Sequence, residues 1–95
     1  MQMLGQEHMR RILVVDDEPM LRGLCATLLA NWGYCVAEAC DGQEALEKLS
    51  QVPVDAVLMD MNMPRLRVDA LLARLRRERP SLPVIIMSSE GDGAR

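Results

Sequence analysis

Two short apolar runs in this chain stop abruptly at carboxylates. Ile12-Leu13-Val14-Val15 leads into Asp16-Asp17-Glu18-Pro19, and Ala56-Val57-Leu58-Met59 leads into Asp60-Met61-Asn62-Met63-Pro64. Runs this short, apolar at every position and rich in Val, Ile and Leu, suit strands buried on both faces of a parallel sheet. An open α/β sheet binds ligands outside the carboxyl ends of its strands, where the strand order reverses. Two such strands side by side gather Asp16, Asp17 and Asp60 in one pocket. Three carboxylates together repel each other unless a cation joins them. A pocket of oxygen donors alone asks for a hard ion such as Mg²⁺.

The segments around these runs supply the rest of a sheet. Residues 10–16 read as a first strand, and Pro19 suits the first turn of a helix. Leu21, Leu24, Cys25, Leu28, Leu29 and Trp32 then recur at helical spacing, and Gly33 stands where a helix ends. Residues 34–39 read as a second strand, Asp41-Gly42 as a turn, and residues 43–49 as a short helix that turns Ala45, Leu46 and Leu49 inward. The third strand covers residues 54–59. A helix carrying Val68, Leu71, Leu72 and Leu75 runs to Arg79, and Pro80 stops it. Residues 82–88 form a fourth strand, apolar at each of Val84, Ile85, Ile86 and Met87, so that it asks for cover on both faces. This alternation implies a doubly wound parallel α/β sheet with right-handed crossovers. Residues 1–9 read as a disordered tail without the apolar core of a signal peptide, and residues 90–95 as a polar, flexible one.

Ninety-five residues make one domain at most. The chain is 49% apolar with one Trp, one Tyr and no Phe, so aliphatic side chains and Met must build the core. A net charge of −3 argues against nucleic acid or an anionic membrane as the main partner. No apolar run approaches the roughly 18 residues a membrane span needs. Cys25, Cys35 and Cys40 lack the close pairing of a metal site and read as reduced, buried thiols of a cytoplasmic protein.

Taken in order, the paired acids after strand one, Asp60-x-Asn62-x-Pro64 after strand three and Ser88-Ser89 after strand four resemble the receiver domain of two-component response regulators, the group that includes the chemotaxis regulator. The resemblance runs over residues 10–89. It implies a flavodoxin-like sheet, here in the order 2-1-3-4 without the family's fifth strand and last two helices, and so an incomplete receiver-like domain. It also implies that Asp60 accepts a phosphoryl group from a histidine kinase or phosphotransfer protein. Asp17, Asp60 and the Asn62 carbonyl would hold Mg²⁺ directly, Asp16 would act through a bound water, and Ser88 would be the hydroxyl that moves to the phosphoryl group. The chemistry is consistent, since a carboxylate can attack phosphorus and phosphoryl transfer needs chiefly positioning and charge neutralisation.

Two departures stand out. The family's phosphate-pairing lysine has no counterpart, since Lys48 is the only lysine and belongs to the second helix. Arg65-Leu66-Arg67-Val68 replaces the acid and glycine common after Pro64. Impaired phosphorylation is therefore expected. The arginines at 74, 76, 77 and 79 read as a solvated helix face with salt links to Asp69 and Glu78. An open, apolar fourth strand predicts a homodimer. The rival functions are a Mg²⁺-dependent aspartyl-phosphate phosphatase of the haloacid dehalogenase type, or a structural dimerisation piece. Asp17-Glu18 could also serve only to cap a helix.

Overall fold

A computed structural model describes residues 9–60 and 68–87 of the chain. Strands and helices alternate as β1 (Arg11–Val15), α1 (Pro19–Asn31), β2 (Cys35–Ala39), α2 (Gly42–Gln51), β3 (Ala56–Asp60), α3 (Val68–Glu78) and β4 (Val84–Met87). The four strands pair in parallel in the order β2-β1-β3-β4. The chain moves outward from β1 to β2, then returns past β1 to add β3 and β4 on the other side. Right-handed crossovers made in opposite directions put their helices on opposite faces. Accordingly α2 and α3 share one face, and α1 lies on the other against β1 and β2.

The core lies under α2 and α3. Leu13 and Val15 of β1, Ala39 of β2, and Val57 and Met59 of β3 pack against Ala45, Leu49, Leu71 and Leu75. Leu46 lies half-buried at the rim. The period of two sends alternate residues to the opposite face, where Val14 is fully buried. That face has one described helix, and α1 packs chiefly on β1 and β2. Ile85 on β4 is consequently 56% exposed.

Helical spacing does not say which of the apolar residues of α1 meet the sheet. None of its residues is fully buried. It meets the sheet through Arg22, Cys25, Ala26 and Leu29, all half-buried, while Leu21, Leu24, Leu28 and Trp32 face outward. A helix on a twisted sheet buries one narrow stripe, and the row Leu21, Leu24 and Leu28 falls beside it. The three cysteines are free and only half-buried, so the expected full burial is corrected.

Local signals act as expected at the helix ends. Pro19 opens α1, and Gly33 leaves it with φ +99°, a conformation open to glycine. Asp41 caps α2 by accepting from the Glu44 amide at 2.8 Å, and the Glu44 carboxylate accepts from the Cys40 amide at 2.8 Å. On α3, Arg74 pairs with Glu78 at 3.0 Å across one exposed turn. Arg79 instead donates to the Leu49 carbonyl at 3.0 Å, tying the ends of α2 and α3 together.

Truncating a residue on the covered face should cost far more than truncating one on the open face. Leu13→Ala is expected to lose about 2–5 kcal/mol through the cavity it leaves. Ile85→Ala should lose about 1 kcal/mol or less, because much of that side chain already meets water. Denaturant melts of the two variants compare them directly, and equal losses would contradict this assignment of the core.

Candidate functional site

The acids meet because β1 and β3 are neighbours in register. Val15 pairs with Met59, so Asp16 and Asp60 come next on adjacent strands, at the point where the winding reverses. One carboxylate oxygen from each of Asp16, Asp17 and Asp60 lies within 4.8 Å of the other two. Asp16 is 1% exposed, while Asp17 and Asp60 are half-buried at the mouth.

Asp16 is held from three directions. Its amide donates to the Ala39 carbonyl at 3.0 Å, extending the sheet by one residue. Its carboxylate accepts from the Glu18 amide at 2.9 Å, a side-chain-closed turn that swings the chain off the strand. Its carbonyl accepts from Arg22 Nη1 at 2.8 Å. Glu18 is the N-cap of α1 yet makes no side-chain cap bond, and the first turn carries no acid. Helix capping therefore does not explain the acidic pair.

Burial pushes the Asp16 carboxyl above the usual carboxylate range. The Glu18 amide pulls it partly back, and the nearby charges of Asp60 and Asp17, with a hydrogen bond to Asp60, push it further up. Three carboxylates that crowd one another form a donor set matched to a hard divalent cation. Every donor is an oxygen, which fits Mg²⁺ and not a thiolate- or imidazole-seeking metal.

Of the residues expected at the site, Asp16, Asp17 and Asp60 converge. Asn62 and Ser88 lie outside the described residues, as do Pro64 and the 65–67 segment. Lys48 falls in the last turn of α2, a helix that starts at the carboxyl edge of the sheet and runs away from it. Sequence reasoning missed Arg22. The signal for it was a lone cation within the sheet-facing stripe of an otherwise apolar helix.

The raised proton affinity of Asp16 gives a pH dependence with a definite sign. A carboxyl whose folded pKa lies above its unfolded one adds stability at low pH, and that stability is lost as pH rises through the folded value. In chelator, Asp16→Asn should melt higher than the parent at pH 7, since Asn keeps an acceptor for the Glu18 amide and loses the repelled charge. The gap should narrow toward pH 4. Parallel melting curves across that range would refute the assignment.

A family model described as the response regulator receiver domain matches residues 12–94. Response regulator RR06 of Streptococcus pneumoniae is 41% identical over 81 residues, which cover 85% of this chain and 37% of that protein. The chain thus spans little more than a third of that relative. Among solved structures, the response regulator TrrA of Thermotoga maritima in complex with Mg²⁺-BeF superposes with a TM-score of 0.79 at 34% identity, covering 85% of this chain and 70% of that one. The complex of the histidine kinase ThkA with TrrA matches with a TM-score of 0.79 at 32% identity, covering 92% of this chain and 75% of the matched one.

Proposed function

Because this chain belongs to the response regulator receiver domain family, we propose that it accepts a phosphoryl group on Asp60 at a Mg²⁺ site made by Asp16, Asp17 and Asp60. The observation that carries this reading is the convergence of three carboxylates at the switch point of the sheet. Receiver domains act in two-component phosphorelay signalling as phosphoacceptors, not as turnover enzymes. The likeness to a regulator solved with its histidine kinase supports a kinase or phosphotransfer protein as donor. Among the described residues no helix is long and apolar enough to cross a membrane.

The roles follow those of the family. A half-buried Asp60 oxygen forms the new O–P bond while the phosphorus–nitrogen bond of the donor histidine breaks and its electrons return to the ring. By the family resemblance, Asp17 and the Asn62 carbonyl would join Asp60 as direct donors to the cation. Asp16 would serve through water, and Ser88 would supply a hydroxyl to the transferred group. Bound there, Mg²⁺ would neutralise the acids and the charge of the phosphoryl oxygens. The haloacid dehalogenase alternative places its nucleophile at the end of the first strand. Here that residue is the buried Asp16, whose carboxylate already accepts from the Glu18 amide.

Lys48 is not placed to assist the transfer, since its helix carries it away from Asp60. Intact-mass analysis with acetyl phosphate and Mg²⁺ should show a species heavier by about 80 Da, absent in Asp60→Asn. Mg²⁺ should raise the thermal midpoint of the parent, by mass action on the native state, and do so less in Asp17→Ala. Label on the Asp60→Asn variant, or a midpoint indifferent to millimolar Mg²⁺, would overturn the reading.

We further propose that a second copy of the chain covers the open side of the sheet. Among the described residues β4 has a strand neighbour on one side only. Ile85 and the row Leu21, Leu24 and Leu28 present apolar surface on or beside that face. A two-fold pairing would bury the same patch from both copies. Light scattering at high micromolar concentration should give a dimer mass that Ile85→Glu lowers, and a monomer mass for the parent would refute it.

A further inference from the structure

Arg22 is the one basic side chain in the sheet-facing stripe of α1, and its side chain is 20% exposed. Its fork joins three elements. Nη1 donates to the Asp16 carbonyl at 2.8 Å, and Nε donates to the Glu38 carboxylate of β2 at 3.1 Å. Its own amide donates to the Glu18 carbonyl at 2.9 Å, a bond of the first turn of α1.

The Asp16 carbonyl needs such a partner. Asp16 follows the last residue of β1, and its amide still bonds to β2. Its carbonyl begins the turn toward α1, and a buried carbonyl without a donor is costly. The donor that meets it is a guanidinium, whose planar fork can hold two acceptors in fixed directions. The orientation of this peptide sets the direction in which the next residue, Asp17, leaves the strand. Glu38 balances the guanidinium charge, so Arg22 adds little net charge to the acids and acts through geometry.

We infer that Arg22 is a positioning residue for the cation site: by clamping the Asp16 carbonyl against β2, it fixes the approach of Asp16 and Asp17 to the ion. This rests on the reading of the three acids as a Mg²⁺ site. Groups behind metal ligands that orient them are commonly worth about 10–100-fold in metal affinity. Arg22 works through the backbone of one acid and next to another, so the lower end of that range applies.

The test is calorimetric titration of Mg²⁺ into the 95-residue chain and its Arg22→Ala, Arg22→Lys and Glu38→Gln variants, with metal-free melts and amide exchange alongside. Trp32 is a poor reporter, since it lies at the far end of α1. Arg22→Ala should weaken Mg²⁺ about tenfold, and speed exchange of the Glu18 amide while the β1 and β3 amides stay protected. Arg22→Lys keeps one donor and no fork, and should fall between Ala and parent. Glu38→Gln keeps an acceptor for Nε and should bind nearly as the parent does. A purely structural role would lower the metal-free melts and leave the Mg²⁺ affinity of the folded variants unchanged, which would overturn the inference. If Arg22→Ala does not fold, an Arg22→Lys affinity equal to the parent's overturns it, and a reduced one supports it. A parent that binds no Mg²⁺ would overturn the site reading and this inference together, whereas binding by the parent and equal binding by the variants overturns this inference alone.

Discussion

The pairing of β1 with β3 governs both the core and the site. Ile12, Leu13, Val14 and Val15 stand beside Ala56, Val57, Leu58 and Met59 in unbroken register. A slip of one residue would turn Leu13 and Val15 away from the α2–α3 face. It would also offset Asp16 from Asp60 along the sheet and send their side chains to different faces. The register is held by burial, since Leu13, Val15, Val57 and Met59 all belong to one packed cluster. Hydrophobic packing in the middle of the sheet thus decides how closely two acids meet at its edge.

The acidic end works against stability. A nearly fully buried Asp16 sits with two other carboxylates, and burial and repulsion both favour its protonated form. The surroundings answer with fixed donors: the Glu18 amide to its carboxylate and Arg22 to its carbonyl. Each donor comes from α1 or the turn into it. The helix that buries least against the sheet is therefore the one most closely tied to the acids.

Much of this was legible in the chain. Strands ending in Asp16 and Asp60 and helices opened by Pro19 and closed by Gly33 follow from short apolar runs and turn residues, while the strand order 2-1-3-4 came from the resemblance to receiver domains. The convergence of Asp16, Asp17 and Asp60 followed from the same runs once they were placed side by side. The inward face of α1 was not legible in the chain. Leu21, Leu24 and Leu28 form one row and Cys25, Ala26 and Leu29 the next, and periodicity marks both as apolar without saying which one the sheet will take. Arg22 went unread for a related reason, since its value lies in a carbonyl on β1 and a carboxylate on β2, and neither is a neighbour in sequence.

The sequence by itself determined which residues could bear chemistry and on which elements they stand, because period, turn residues and the abrupt change from apolar to acidic are local properties. Only the tertiary structure decided that Asp16 is the buried member of the trio while Asp17 and Asp60 line the mouth. It alone decided that one face of the sheet is sealed by α2 and α3 while Ile85 on the other meets water. Burial and proton affinity depend on what packs from elsewhere in the chain, and parallel strands meet only through crossovers that bring distant segments together.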